Sequence, residues 1–133
     1  MIICSWNIRS LNRSNKQSEV TKFIYANHVD VMGIMETKVK DINKTVTQNR
    51  MLPSWDFVNT ASNRIWITWN PTAANITLLK ETSQLLHVLV EDLRLNKLFD
   101  ISFVYGLYSS NERRPLWNTL HSISTAALGN PWM

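Results

Sequence analysis

The chain has 133 residues, of which 44% are hydrophobic and 18% charged, with a formal net charge of +4. This composition excludes a disordered chain, and the length is enough for one domain with a hydrophobic core. A single cysteine, Cys4, excludes an intrachain disulfide and a zinc site built from cysteines. The N-terminus lacks the features of a signal peptide, and no run approaches the roughly 20 apolar residues of a membrane span. We therefore expect an intracellular protein, nuclear or cytoplasmic rather than secreted, without membrane contact.

The positive charge is concentrated in the first 50 residues, which hold eight Lys or Arg and four Asp or Glu, whereas the remainder holds six of each. A basic region beside an active site favours a polyanionic substrate. An ordinary solvated surface explains a surplus of this size equally well. Charge alone therefore does not choose between a nucleic-acid partner and a plain surface.

The first part of the chain predicts a strand, a helix and a second strand. Residues 1–8 are almost entirely apolar, which is typical of a strand. Apolar residues at helical spacing predict a helix over residues 14–27, with Ser14 or Asn15 as its cap. Residues 29–35 are too apolar for a half-exposed strand and predict a central one. This order implies a parallel pair of strands joined by a crossover.

The middle of the chain changes from a sparse apolar pattern to a series of strands. Residues 39–51 predict a marginal helix that Pro53 stops. Five strands with short connections follow, which predicts an antiparallel meander. These strands cover residues 55–59, 64–70, 75–82, 85–92 and 97–106.

A last helix is predicted over residues 111–127. Trp117 widens its apolar stripe, and Gly129 ends it. The members of the stripe are Leu116, Leu120, Ile123 and Ala127. Beyond the helix, residues 131–133 look like the start of a further strand. No repeat or linker divides the chain, so we interpret residues 1–133 as one domain or part of one.

Three of the predicted strands stop at a polar residue that is able to face a phosphate or a metal. Asn7 ends the first, Glu36 the second and Tyr105 the last. Each has an ordinary explanation when taken singly: a turn cap for Asn7, a surface ion pair for Glu36 and a plain strand aromatic for Tyr105. Taken together and in this order, they indicate one half of a metal-dependent phosphodiesterase site.

The segments around these residues resemble the endonuclease/exonuclease/phosphatase family, which has the DNase I-like fold. The segments that carry the resemblance are Trp-Asn-Ile-Arg-Ser-Leu-Asn from Trp6, Ile-Met-Glu-Thr-Lys from Ile34, Arg-Ile-Trp-Ile-Thr-Trp-Asn-Pro from Arg64 and Phe-Val-Tyr-Gly-Leu from Phe103. The resemblance covers essentially the whole chain and is strongest to the endonuclease region of plant LINE-type non-LTR retrotransposon polyproteins. It implies an α+β fold: a partial DNase I-like four-layered α/β-sandwich of mixed and antiparallel strands with flanking helices, whose C-terminal half is missing.

The resemblance also implies roles for individual residues. Asn7 matches a family asparagine that helps to hold metal and phosphate, Glu36 matches the glutamate that binds Mg²⁺, and Tyr105 matches the tyrosine that contacts the scissile phosphate. Mg²⁺ is usually held by one or two carboxylates plus substrate oxygens, so a single glutamate is able to hold it once phosphate is present. Further cations near the strand ends are candidates for contact with a DNA backbone, without a firm family role. They are Arg9, Lys38, Arg113 and Arg114.

The chain also departs from the family pattern. The family continues with a Gly-Asp-Phe-Asn segment and ends with Asp and His residues that act on the attacking water, and neither is present. No Ser/His/Asp or Cys/His arrangement emerges around His28, His87 or His121. Ser10 stands where the family usually has glycine, so the loop after Asn7 is expected to be less free to adopt φ > 0.

The function predicted from the sequence is that of a truncated domain of this family. The ancestral activity would be Mg²⁺-dependent DNA nicking, and loss of catalytic members typically costs about 10⁴–10⁶ in rate, so we expect an inactive chain. The alternatives are a non-catalytic nucleic-acid-binding fragment, a phosphatase of the same superfamily, and a product with no molecular function. The missing half would leave an unpaired sheet edge, which favours self-association.

Overall fold

The computed structural model describes residues 1–126 and 129–133. A short 3₁₀ turn, Asp41–Asn43, precedes the second helix. The other elements, in chain order, are β1 (Ile3–Asn7), α1 (Ser14–Ala26), β2 (Val31–Met35), α2 (Lys44–Met51), β3 (Asp56–Asn59), β4 (Ile65–Trp69), β5 (Ala74–Thr82), β6 (Leu85–Asp92), β7 (Lys97–Val104) and α3 (Ser110–Ala126). None of the helices in these described ranges is long and apolar enough to cross a membrane.

The strands form two sheets rather than one continuous meander. Sheet A has the order β1-β2-β4-β3, in which β1 and β2 are parallel and the other pairs antiparallel. Sheet B is the antiparallel series β5-β6-β7. The predicted parallel pair is therefore confirmed. The predicted five-strand meander is wrong, because β4 is buried along its whole length and pairs centrally with β2 instead of with β5.

The two sheets pack face to face, and helices cover their outer faces. α1 and α2 pack on sheet A through a core that includes Val20, Ile24, Met51, Met32, Ile34 and Trp66. The core between the sheets includes Val31, Ile65, Ile67, Val88, Ile101 and Phe103. α3 covers sheet B through Leu116, Leu120 and Ile123, which pack with Leu85. The α+β sandwich of four layers that the resemblance implies is thus confirmed for this part of the fold.

Gly33 lies in the middle of β2, where the Phe103 ring of sheet B packs close to the backbone of sheet A. All five residues of this strand are buried. A Cβ atom at Gly33 would lie 2.2 Å from Cδ1 and 2.4 Å from Cε1 of the Phe103 ring, distances that carbon atoms do not adopt. The Phe103 side chain is itself buried, so it has little room to move. Glycine at this position therefore allows β2 of sheet A to lie against β7 of sheet B.

The start of α1 differs from its prediction. The residue that precedes the helix is Arg13, and its side chain makes no capping hydrogen bond. Ser14 and Asn15 already belong to the first turn, so neither is the cap. The helix is held instead by the packing of Val20 and Ile24, which are fully buried.

The apolar stripe of α3 is narrower than predicted. Leu116 and Ile123 are buried as expected, but Trp117 is 58% exposed and does not widen the stripe. Its side chain lies about 100° around the helix from Leu116 and so points away from sheet B. Ala127, the last predicted member of the stripe, lies outside the described residues.

Residues 131–133 pair with β7, as expected for the start of a further strand. The Asp100 N–H donates to the Pro131 carbonyl at 2.8 Å, and the Ser102 N–H donates to the Met133 carbonyl at 2.8 Å. Trp132 forms a parallel bridge with Asp100, and its indole N–H donates to Ser102 Oγ at 2.9 Å. The pairing with β7 is as expected, but in the described residues it is a single bridge, so a strand that begins here stays a prediction.

Gly33→Ala is expected to lower the free energy of unfolding by about 1–3 kcal/mol, the usual cost of overfilling a packed core. Urea unfolding followed by tryptophan fluorescence measures the loss. Combination with Phe103→Leu, which frees space at the point of collision, is expected to cost less than the sum of the two single changes. Wild-type stability of Gly33→Ala would contradict the close approach of the sheets.

Candidate active site

The ends of three strands meet at one edge of the sandwich. β1 and β2 run parallel with Asn7 paired to Met35, so Asn7 and Glu36 leave sheet A side by side. Tyr105 follows directly after β7 of sheet B. Since β2 and β7 pack against each other across the core, residues after their ends are neighbours as well. The fold therefore places an amide, a carboxylate and a phenol at a common edge.

The Glu36 carboxylate joins the three residues. Its Oε1 accepts a hydrogen bond from Asn7 Nδ2 at 3.0 Å and another from the Tyr105 hydroxyl at 2.8 Å. Asn7 is exposed, and Glu36 and Tyr105 are half-buried, so the group is open to solvent. The structure thus brings together the three residues predicted to be catalytic. Their roles in metal and phosphate binding stay predictions.

Several residues around this group have positive φ, which is rare outside glycine. Glu36 has φ 54°. Ser10 has φ 140°, although a serine at this position was expected to disfavour positive φ. Arg9, Lys38 and Asn63 share the feature, with φ between 52° and 55°. Such conformations cost about 1–3 kcal/mol each and cluster at functional sites. The loops that surround Glu36 therefore carry strain that the rest of the fold offsets.

Main-chain hydrogen bonds hold these loops to one another. The Ile8 N–H donates to the Met35 carbonyl at 3.2 Å, and the Leu11 N–H donates to the Thr37 carbonyl at 2.7 Å. The Glu36 N–H donates to the Arg64 carbonyl at 2.8 Å. The loops after β1 and β2 and the segment before β4 therefore form one unit, which fixes the backbone of Glu36.

Hydrogen bonding sets the ionisation state of the group. The bond from Asn7, and then that from Tyr105, holds the pKa of the Glu36 carboxyl below its ordinary value of 4.5, and Lys38 and Arg9 act in the same direction. The bond to Glu36 raises the pKa of Tyr105 above its ordinary value of 10.0, and burial adds to this effect. At neutral pH Glu36 is therefore a carboxylate and Tyr105 a neutral hydrogen-bond donor.

The donor atoms at this edge suit a hard cation. Glu36 Oε2 and Asn7 Oδ1 take part in no hydrogen bond among the described residues, whereas Glu36 Oε1 accepts two. Carboxylate and amide oxygens are ligands that Mg²⁺ accepts, and this ion usually keeps several waters and takes one or two carboxylates plus substrate oxygens. In residues 1–126 and 129–133 there is no group of three or more His, Cys, Asp or Glu side chains able to enclose a metal. The donor atoms at this edge therefore fit a Mg²⁺ ion whose remaining ligands are water and substrate oxygens.

Two of the cations predicted to contact nucleic acid lie near Glu36. Lys38 lines an open depression of about 490 Å³ that Glu36 and Tyr105 also line. Arg9 is exposed and helps to lower the pKa of Glu36, as does Lys38. Both positive charges are therefore close enough to the carboxylate to act on an anion bound there.

The other two cations are placed differently. Arg113 Nη1 donates to the carbonyl oxygens of Leu107 at 3.0 Å and Tyr108 at 2.7 Å, so this side chain holds the loop after β7. Arg114 is exposed on α3 and lines no part of the depression at Glu36. Contact of either residue with nucleic acid stays a prediction.

Arg64 also lies at the site, although no role was predicted for it from the sequence. Its guanidinium carbon lies 5.5 Å from the centre of the Tyr105 ring, within the range of a cation–π contact. It lines the same depression as Glu36. Its position at the start of one of the family-like segments was the feature of the sequence that could have indicated a role. The antiparallel pairing of β2 with β4 is what brings it to Glu36.

The structure also brings a serine, a histidine and an aspartate together, which corrects the expectation that no histidine takes part in such an arrangement. His87 Nδ1 lies 3.0 Å from Ser102 Oγ, and His87 Nε2 lies 3.9 Å from Asp100 Oδ2. The reason is the pairing of β6 with β7, which places His87 opposite Ser102. The group faces α3, whereas Tyr105 packs toward sheet A, and burial lowers the pKa of His87. It is a buried polar cluster that does not adjoin Glu36.

Comparison with known proteins gives matches in structure alone. No protein-family model matches the sequence, and no curated protein matches it significantly. An endonuclease/exonuclease/phosphatase family protein from Bacteroides thetaiotaomicron matches with a TM-score of 0.71 at 10% identity, over 98% of this chain and 58% of its own. The endonuclease domain of TRAS1, a telomere-specific non-LTR retrotransposon, matches with a TM-score of 0.71 at 7% identity, over 96% of this chain and 55% of its own. TDP2 from D. rerio, complexed with single-strand DNA product, matches with a TM-score of 0.68 at 14% identity, over 94% of this chain and 54% of its own.

These matches show the fold. The chain has the fold of endonuclease/exonuclease/phosphatase proteins and spans a little over half the length of each of the three structures. The resemblance that the order of motifs indicates is therefore confirmed at the level of the fold, and the plant origin stays a prediction. A shared fold does not transfer a reaction or a substrate, which must be argued from the site.

Asn7→Ala is expected to raise the pKa of Glu36 toward 4.5, because the amide is the strongest stabiliser of the carboxylate. Tyr105→Phe is expected to raise it by a smaller amount. NMR titration of the glutamate carboxyl carbons measures both changes. Asn15→Ala, on the exposed first turn of α1, is the matched control and should leave the titration unchanged. An unaltered Glu36 titration in Asn7→Ala would refute the hydrogen bond between the two side chains.

Proposed function

We propose that the edge formed by Asn7, Glu36 and Tyr105 is one wall of a Mg²⁺-dependent phosphodiesterase site that acts on DNA. The observation that supports it is the Glu36 carboxylate. One of its oxygens accepts hydrogen bonds from Asn7 at 3.0 Å and from Tyr105 at 2.8 Å, and both donors lie at the ends of other strands. The matches to a retrotransposon endonuclease domain and to an enzyme complexed with single-strand DNA product favour DNA as the substrate class. On their own, these 133 residues would bind a phosphodiester and hydrolyse it at a negligible rate.

Each residue of the wall has a part that its chemistry suits. Glu36 would hold Mg²⁺ through the oxygen that accepts no hydrogen bond, together with the Asn7 carbonyl oxygen. A bound Mg²⁺ ion supplies positive charge that stabilises the phosphate oxygens in the transition state. Tyr105 retains its proton, since its pKa is raised, and can turn its hydroxyl from Glu36 to a phosphate oxygen. Lys38 and Arg9 add positive charge on the open side.

Hydrolysis also requires a group that accepts a proton from the attacking water. In the part of the chain that the structure describes, no histidine lines the depression around Glu36, and His87 is buried near α3. Removal of members of a catalytic unit typically costs about 10⁴–10⁶ in rate. We therefore propose binding without hydrolysis for this chain, and hydrolysis for a protein in which further residues supply the base.

Nucleic-acid binding without catalysis is the second candidate, and a basic depression next to Lys38 favours it. The depression has a volume of about 430 Å³, and the described residues that line it include Lys38, Lys40 and Arg50 and no acidic residue. None of these three cations forms an ion pair among the described residues. Because Lys38 also lines the depression at Glu36, a phosphate backbone could pass from one to the other.

Two other sequence-based expectations remain proposals. The protein would act inside the cell, in the nucleus or cytoplasm. The edge of sheet A at β1, which pairs only with β2 among the described residues, would favour self-association.

Glu36→Gln separates the metal-dependent part of DNA binding from the rest. Wild-type affinity for a DNA oligonucleotide is expected to increase on addition of Mg²⁺, and the variant should lose this increase. Without metal, the variant should bind up to roughly fivefold more tightly, because the carboxylate no longer repels phosphate. Fluorescence anisotropy with and without Mg²⁺ measures both effects.

Glu19→Gln, which removes an exposed acid of α1, is the matched control for Glu36→Gln and should keep the response to Mg²⁺. An identical response to Mg²⁺ in wild type and Glu36→Gln would rule out the metal role of Glu36. Robust plasmid nicking by the wild-type chain, lost in Glu36→Gln, would overturn the proposal of binding without hydrolysis.

Replacement of Lys40 and Arg50 by alanine tests the basic depression. For duplex DNA, we expect weaker binding and a salt dependence whose slope, log K against log salt, is smaller by about 0.9 per lost phosphate contact. Titrations at several salt concentrations measure the slope. The pair Lys80→Ala and Lys97→Ala removes the same net charge from sheet B and should change the slope less. Equal slopes for the two double variants would count against the depression as a phosphate contact.

A further inference from the structure

Tyr108 borders the depression at Glu36 with its side chain almost entirely in water. It is 99% exposed. It lines the depression of about 490 Å³ together with Arg64, Tyr105 and Glu36. Single exposed apolar groups are common on proteins, so exposure alone does not indicate a ligand site. The residues that surround this tyrosine do indicate one.

The loop that bears Tyr108 is fixed, although the side chain is free. Arg113 Nη1 donates to the carbonyl oxygens of Leu107 and Tyr108 at 3.0 Å and 2.7 Å. Gln84, a buried residue, accepts the Leu107 N–H on Oε1 at 2.9 Å, and its carbonyl accepts the Tyr105 N–H at 2.9 Å. An arginine and a buried glutamine therefore hold the backbone of Tyr108 in place, while both faces of its ring remain open.

The other side chains around the depression define the chemistry of a ligand. Arg64 and Lys38 provide positive charge, and neither forms an ion pair among the described residues. Glu112 lies at the rim, and its carboxylate accepts hydrogen bonds from the Ser109 N–H at 3.2 Å and the Ser109 hydroxyl at 2.6 Å. The volume lies within the range of about 300–1,000 Å³ that is usual for small-molecule sites. A flat ring joined to a phosphate fits this combination of an open aromatic face and cations.

We propose that this depression receives one unpaired nucleotide of the DNA strand, with its base stacked on the Tyr108 ring and its phosphate facing Arg64. The inference rests on the proposed function, because the phosphodiester at Glu36 determines where the strand lies. Every base has a π face, so stacking selects for unpaired bases without selecting a sequence. In a duplex the faces of the bases are already covered by their neighbours, so a paired base has none to offer to Tyr108.

Two single-stranded DNA probes of equal length test this pocket: an oligothymidylate, and the same backbone with abasic sites in place of the bases. Tyr108→Leu keeps an apolar side chain without a π face, and Tyr108→Trp keeps a π face. In anisotropy titrations with Mg²⁺ at fixed salt, Tyr108→Leu should bind oligothymidylate roughly 5- to 150-fold more weakly, as expected for the loss of one stacked base. Its affinity for the abasic probe should equal that of the wild type, and Tyr108→Trp should bind oligothymidylate as tightly as the wild type.

Tyr25→Leu is the matched control, since Tyr25 is a 57% exposed tyrosine on α1 beside Asp30, at the opposite end of β2 from Glu36. It should leave both affinities unchanged. Equal losses for the two probes in Tyr108→Leu, or no loss for oligothymidylate, would overturn the stacking of a base on Tyr108. If the wild type binds neither probe, the proposed function fails and the nucleotide pocket fails with it. If it binds both probes equally and no Tyr108 variant changes this, only the pocket is overturned.

Discussion

The hydrogen bond from Tyr105 to Glu36 is the contact on which the candidate site depends, because it joins the two sheets at the edge where their strands end. The bond is 2.8 Å long and requires the ends of β2 and β7, which share the core between the sheets, to lie close together. Gly33 permits this approach, since any side chain there would collide with the Phe103 ring. The parallel pairing of β1 with β2 then places Asn7 on the other side of the same carboxylate. The packing of the core thus determines how Asn7, Glu36 and Tyr105 are arranged at the edge.

The same hydrogen bonds determine the charges at the site. A carboxylate that accepts an amide and a phenol proton stays ionised, and the phenol that donates to it stays protonated. Glu36 and neighbouring loop residues adopt positive φ, which costs stability, and main-chain bonds to adjacent loops hold them there. The fold therefore spends stability to present Glu36 in a fixed position, as expected of a residue that binds an ion or a substrate.

In the proposed function, binding of a phosphodiester is separable from its hydrolysis. The described residues provide donors, positive charge and a carboxylate around one open edge, which are the requirements for holding a metal and a phosphate. The proton transfer that hydrolysis needs would come from other groups, and the chain spans little more than half the length of the structures whose fold it shares. Among the described residues, Trp132 forms a single parallel bridge with Asp100 of β7, next to sheet B.

Local patterns in the sequence predicted the strands and helices, the parallel start and the three polar residues at the strand ends. They did so because apolar periodicity and the residues that interrupt it depend on near neighbours along the chain. The positions of Arg64 and Tyr108 at the depression, the cluster around His87 and the exposure of Trp117 were not predictable in this way. The partner of β4 was also missed, since a strand that is buried on both faces has no local feature that selects its neighbour. Tertiary packing decided these points, because contacts between residues far apart in the chain depend on how whole layers fit together.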